Sequence, residues 1–185
     1  MSDCLPDLHI SPVALTDKPI IERLLQLYLH DFSGFASAGD PFGKVDDQGR
    51  FAYAHLDRYW QDGEREALLF RLGGDLAGFA LVNAWSASGL GTQKAMAEFF
   101  VLRKYRRAGL GTRAAIEVIQ RQPVSWEIAV AGYNQPALQF WSSVTNALHG
   151  FEAQKLDGDG VRWCGTIWRL MPRPGHAARA LDNAT

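Results

Sequence analysis

Between Lys94 and Ala114 the chain reads KAMAEFFVLRKYRRAGLGTRA, and few folds accommodate that order of residue types. Ala95 to Leu102 is a strand-length apolar run broken only by Glu98. Four of the five residues from Arg103 to Arg107 are cationic, Tyr105 being the exception. Gly109 and Gly111 then open a helical pattern that runs without interruption towards Pro123. Glycines let the backbone approach a ligand closely, and a helix N-terminus presents unpaired N–H groups at the positive end of its dipole. Strand, basic turn and glycine-opened helix together predict an α/β unit with an anion site, phosphate held by amides and arginines beside it. Taken alone, the glycines would be a turn and the cations a solvated face. The flanking strand and helix, and a second segment downstream, set them apart.

Arg106-Arg107-Ala108-Gly109-Leu110-Gly111 resembles the R/Q-x-x-G-x-G/A loop of the GNAT superfamily of acetyl-CoA-dependent N-acetyltransferases. Val101 stands where that family has the apolar residue ending its fourth strand. Downstream, Asn134-Gln135-Pro136-Ala137-Leu138-Gln139-Phe140-Trp141 is similar to the family's N-x-x-A-x-x-(apolar)-(aromatic) helix start. The resemblance spans residues 8 to 170, and is to a bacterial branch of predicted acetyltransferases.

A chain of 185 residues, 47% apolar and 21% charged, fits one globular domain with a sizeable core. A net charge of −1 gives no electrostatic case for nucleic acid, so the basic run is local. Cys4 and Cys164 form no disulfide framework and have no metal spacing. The start, MSDCLPDLHI, lacks a basic n-region and a long apolar core, and no run approaches the ~20 apolar residues of a membrane span. The expectation is a cytoplasmic protein without metal, membrane or nucleic-acid partner; a homodimer stays open.

Periodicity predicts a strand around Leu8–Val13, then a helix over 18–32 with Asp17 as its cap. A loop follows, then a short helix from Phe51 to Trp60. Ala67–Leu72 and Leu76–Trp85 read as a hairpin about Gly73-Gly74-Asp75. After the central strand come a helix from Gly109 to Gln122, a strand Trp126–Val130 and a helix capped by Asn134. Two last strands are joined at Asp157–Gly160. The domain is placed at 8–171, and the tail 172–185 has no periodicity and is expected to be mobile. This order predicts one α/β sheet with helices on both faces. The resemblance implies about seven strands, mixed but mostly antiparallel, splayed between the fourth and fifth.

In this family the donor's pantetheine arm lies along the fourth strand, which implies main-chain contacts from Phe100, Val101 and Leu102. The resemblance likewise implies pyrophosphate contacts from Arg106, Arg107, Ala108, Gly109, Leu110, Gly111 and Thr112, and a further one from Asn134. Glu98, costly inside an apolar strand unless it faces a cleft or a partner, is the preferred general base, with Glu127 the alternative. Trp141 stands where many members carry a tyrosine acid. Indole cannot protonate a thiolate, so Tyr133, Tyr105 or water is left for that task. For the acceptor, residues 28–66 hold eight acidic residues against four basic ones, interleaved with aromatics. Tyr28, Asp31, Phe32 and Tyr53 are the candidate contacts, and carboxylates among aromatics favour a cationic amine, whether small molecule or peptide. Two rivals remain: a non-catalytic acyl-CoA-binding regulatory module, and a dinucleotide-dependent oxidoreductase on the strength of Gly109-x-Gly111-x-x-Ala114.

Overall fold

The structure, a computed structural model, describes residues 7–36 and 43–174. The tail from residue 175 on, and Asp40 among the acids above, lie outside the described residues. The strands are β1 (Leu8–Pro12), β2 (Glu66–Leu72), β3 (Asp75–Asn83), β4 (Lys94–Val101), β5 (Trp126–Ala131), β6 (Phe151–Asp157) and β7 (Gly165–Pro172). The helices are α1 (Lys18–Ser33), α2 (Leu110–Gln120) and α3 (Gln135–Ala147). All seven strands form one sheet in the order β1-β2-β3-β4-β5-β7-β6. Every neighbouring pair is antiparallel except β4 and β5. The α/β class and the mixed sheet are as expected.

The sheet separates two cores. On one face Ile21 and Leu25 of α1 pack on Phe79, Leu81 and Phe100. On the other, Leu110, Ala114 and Val118 of α2 and Trp141 and Val144 of α3 cover Ala80, Val82 and Met96. Asn134 caps α3, its Oδ1 accepting the Ala137 N–H at 3.2 Å. Asp17 precedes α1 but makes no side-chain capping bond. The helix expected from Phe51 to Trp60 is extended chain ending in a 3-10 turn, Leu56–Trp60. Gln26 explains the difference. Its Nε2 donates to the Phe51 carbonyl at 3.1 Å and its Oε1 accepts the Phe51 N–H at 2.7 Å. With both backbone groups engaged by α1, Phe51 cannot start a helix.

One irregularity positions the site. Leu81 pairs with Glu98 and Val82 with Met96, so Ala97 is an extra residue in β4. A bulge bends its strand and increases the local twist. It also changes side-chain parity: Met96 belongs to the α2/α3 core, yet Glu98, two residues on, reaches tyrosines on the α1 side. Pairing of β4 with β5 covers only Lys94 to Met96. Beyond it, Ala129 to Ala131 pair with β7 alone, and the strands part as expected.

Gly78 holds β3 against the departing half of β4. A Cβ there would lie 2.1 Å from the Phe100 carbonyl oxygen, a backbone atom that cannot step aside. Gly78→Ala should therefore cost at least about 3 kcal/mol. Urea denaturation should show a lower midpoint at unchanged slope; a midpoint equal to wild type would mean the β3–β4 spacing is not tight.

Candidate active site

Where β4 and β5 separate, a cleft of about 760 Å³ opens. Strand alternation decides which backbone groups face it. The Leu102 N–H donates to the Ala77 carbonyl at 2.9 Å, and Phe79–Phe100 and Leu81–Glu98 share that register. Residues 98, 100 and 102 therefore turn their backbone groups to β3, and Phe99 and Val101 turn theirs to the side β5 has left. The Leu102 carbonyl is also engaged, accepting the Tyr105 N–H at 2.9 Å. Main-chain contacts expected from Phe100 and Leu102 thus have no free groups to make them. Phe99, which the sequence did not single out, turns both its backbone groups to that side, and Val101 keeps its N–H there while its carbonyl accepts from Arg106.

The turn after β4 is shaped by two left-handed residues, Arg107 at φ 65° and Gly109 at φ 76°. Arg113 is the first residue of α2 whose N–H finds a carbonyl, that of Gly109 at 3.1 Å. The N–H groups of Leu110, Gly111 and Thr112 have no acceptor among the described residues. Nothing lies within 4 Å of where a Gly109 Cβ would be, whereas one on Gly111 would meet Phe140 of α3 at 3.2 Å. Gly109 thus leaves space open at the helix end, while Gly111 lets α3 pack close.

The cations are not equivalent. Asp31, in the last turn of α1, accepts from Arg103 at 2.5 Å and from Arg106 at 2.6 Å. Arg106 Nε also donates to the Val101 carbonyl at 2.7 Å. Burial alone would lift the Asp31 carboxyl, but hydrogen bonds from Arg103 and Arg106 hold it below its ordinary range. Arg106 is therefore a brace between β4 and α1, and Asp31 is spent on that brace instead of facing an acceptor. Lys104 lies 4.0 Å from Asp75. Arg107 is exposed and has no ion-pair partner among the described residues.

Glu98 lies in the wall of the cleft. Tyr28 donates to its Oε2 at 2.5 Å and Tyr53 to its Oε1 at 3.1 Å. Burial raises the Glu98 carboxyl from the ordinary 4.5 to about 7, although both tyrosine hydrogen bonds pull the other way. Burial, then the adjacent carboxylate, lifts the tyrosines as well, so both remain proton donors to it. Glu127 is built differently. Its carboxylate, 1% exposed, accepts from Ser86 Oγ at 3.1 Å, Ser88 Oγ at 2.5 Å and Ser88 N–H at 3.1 Å, and pairs with Arg169 at 3.3 Å. It lines the cleft and ties the β3–β4 loop to β5.

Tyr133 is more than half exposed at the cleft mouth, its ring against Phe32 and Phe35. Trp141 is buried against Phe99 and Phe140. Tyr105 is not in the cleft wall; its hydroxyl donates to Asp75 at 3.3 Å. Asn134 lines the cleft while capping α3. Tyr28, Phe32 and Tyr53 line the cleft. The described acids of residues 28–66 do not line it. Asp46 turns a loop with Arg50, Asp57 pairs with Lys18, Asp62 with Arg65, and Glu66 accepts from Gln122. The charged side chains of that segment that do face the cleft are Arg58 and Arg65, which the sequence did not mark.

A sequence model of the acetyltransferase (GNAT) family matches residues 21–144. The chain belongs to the GNAT acetyltransferase family. No curated protein sequence matches it. Its fold is similar to that of an acetyltransferase from Thermus thermophilus, at 18% identity and a TM-score of 0.60, covering 91% of this chain and 99% of that one. PaiA N-acetyltransferase from Thermoplasma acidophilum, solved in complex with coenzyme A, gives 10% identity and a TM-score of 0.57, over 90% and 99% of the two chains. The ribosomal-protein-S18-alanine N-acetyltransferase from Escherichia coli gives 15% and 0.52, over 90% and 94%. No described helix of this GNAT chain is long and apolar enough to cross a membrane.

The Glu98 shift has a sign that stability measurements can read. Below about 4.5 both folded and unfolded chains hold the proton. Between there and about 7 the unfolded chain ionises first, so stability falls as pH rises, and above 7 the loss is complete. Thermal melts of wild type and Glu98→Gln across pH 4 to 8 should diverge in that window, the variant gaining relative to wild type. A constant difference would mean that Glu98 ionises in its ordinary range.

Proposed function

We propose that this GNAT chain transfers an acetyl group from acetyl-CoA to a primary amine, both substrates being held together in the cleft. The juxtaposition of three unpaired amides at the start of α2 with the opened edge of β4 and a tyrosine-held carboxylate carries the reading. The residues fit such a donor. Leu110, Gly111 and Thr112 N–H groups suit pyrophosphate oxygens, with the open space at Gly109 beside them and Arg107 as the uncommitted cation. Phe99 offers its N–H and carbonyl, and Val101 its N–H, to an extended, amide-bearing arm. The coenzyme A complex of the Thermoplasma relative supports the same assignment.

Acetyl-CoA would supply an activated thioester carbonyl; the chain supplies placement and proton handling. Glu98 accepts the proton that an ammonium must lose before its nitrogen can attack, and its raised pKa makes it a base matched to neutral pH. Tyr28 and Tyr53 fix both carboxylate oxygens. The Val101 N–H stands on the exposed edge of β4, where a fixed donor can meet oxyanion charge. Tyr133, a hydroxyl lining the cleft, returns a proton to the departing thiolate. Trp141, packed in the core, has no part in it. A regulatory module would need only the anion site; a carboxylate kept costly inside a cleft supports the enzyme instead.

Calorimetry with coenzyme A tests the donor site. Gly109→Val places a side chain in open space at a cost of about 1–2 kcal/mol for the left-handed backbone. It should stay folded while losing coenzyme A affinity by about tenfold or more. Arg107→Ala should weaken binding and flatten its salt dependence. Normal affinity in both variants would remove the donor assignment. Gly111→Val is not diagnostic, because Phe140 would be displaced as well.

A further inference from the structure

The wall that runs from Glu98 towards the acceptor end is continuous. Tyr53 donates to Glu98, and Tyr59 contacts the side chains of both Tyr53 and Asn83. The Arg65 guanidinium lies 5.4 Å from the Tyr59 ring centre, and Arg58 is on the same 3-10 turn as Tyr59. Asn83 in turn accepts the Trp85 N–H at 2.9 Å, and Trp85 packs against Trp163 at 6.3 Å. All of these residues line the one cleft.

Among the described residues, three side chains of this wall keep donors without partners: Arg65, Arg58 and Trp163. Arg65 commits its Nε to Asp62 at 3.2 Å and leaves its two terminal nitrogens unused. Arg58 is exposed and has no ion-pair partner among the described residues. The Trp163 indole N–H is buried with no acceptor, a deficit that normally destabilises unless something fills it. An acceptor with a second positive charge would find no uncommitted carboxylate here beyond Glu98, since Glu127 is tied to Arg169 and both loop serines.

We propose that the amine acceptor carries a carboxylate, held by Arg58 and Arg65 at the far end of the cleft while its amine lies at Glu98. This rests on the acetyl-transfer reading and replaces the cationic acceptor expected from composition. Guanidinium groups take carboxylates in paired, charge-assisted hydrogen bonds. The anion must reach past Tyr53 and Tyr59. The class is therefore a short peptide, or an amino acid whose carboxylate stands several bonds from its amine.

Matched acceptors test it. Alanyl-alanine and its C-terminal amide have nearly the same amine but differ in the anion, and thiol release from acetyl-CoA follows both. Wild type should favour the acid in kcat/KM by about tenfold or more, the worth of one charge-assisted hydrogen bond. Arg58→Gln and Arg65→Gln should each bring that ratio down towards one. Acetyl-alanyl-alanine with coenzyme A should raise the Tm of wild type more than that of either variant. Arg58 is exposed, so its variant keeps the test valid should loss of Arg65 disturb Tyr59. Equal use of acid and amide by wild type, or an undiminished ratio in Arg58→Gln, would overturn the carboxylate while leaving acetyl transfer intact. Coenzyme A binding without thiol release to any amine in a broad panel would overturn both.

Discussion

Ala97, inserted opposite the Leu81–Val82 step, sets the rest of the site. Three residues of parallel pairing join β4 to β5, and the bend at the bulge follows directly on the last of them. The parting leaves the edge of β4 at Phe99 and Val101 without a strand partner, a condition a buried backbone tolerates only where a ligand or water supplies the missing hydrogen bonds. The same inserted residue moves Glu98 from the face of Met96 to the face of Tyr28 and Tyr53. The open edge of β4 and the placement of Glu98 thus share one origin. Gly78 permits it, by letting β3 follow β4 at a distance no side chain would allow.

Charge is distributed with similar economy. Asp31 is unfavourably placed at the carboxyl end of α1, where the helix dipole favours cations. Arg103 and Arg106 compensate it and fasten that helix end to the turn before α2. The turn before α2 is thereby held on one side by an ion-pair brace, with Arg107 on the other lacking an ion-pair partner among the described residues. Glu127 performs an analogous task at the opposite end of the cleft, gathering Ser86, Ser88 and Arg169. In both places a carboxylate that the sequence puts forward, Asp31 as an acceptor contact and Glu127 as the alternative base, joins distant segments through ion pairs.

Much of this was legible beforehand, because helices α1, α2 and α3 and the β2–β3 hairpin announce themselves by period and by glycine and proline punctuation. The cap at Asn134 and the glycine-opened start of α2 were read correctly. What was illegible depends on partners distant in sequence. Ala97 lies in an apolar run with no alternation to mark a bulge, so the backbone parity that exchanges Phe99 for Phe100 and Leu102 could not be read. Nothing local says that Asp31 meets Arg103 and Arg106 across more than seventy residues. Gln26, twenty-five residues from Phe51, removes a helix that local pattern favours. Counting acids over 28–66 could not show that Asp57 and Asp62 are ion-paired for the same reason: composition does not record which charges have partners.

The claim that most depends on this geometry is that Glu98 is the base. Turnover at saturating acetyl-CoA, followed from pH 5 to 9 in wild type and in Glu98→Gln, addresses it directly. Wild type should show an acidic limb with its midpoint near 7, superimposed on the rise that belongs to the amine itself. Glu98→Gln, with coenzyme A affinity retained, should lose about 10²-fold in turnover and lose that limb. A variant that keeps both rate and limb would contradict the assignment. Catalysis would then rest on positioning an amine that is already neutral.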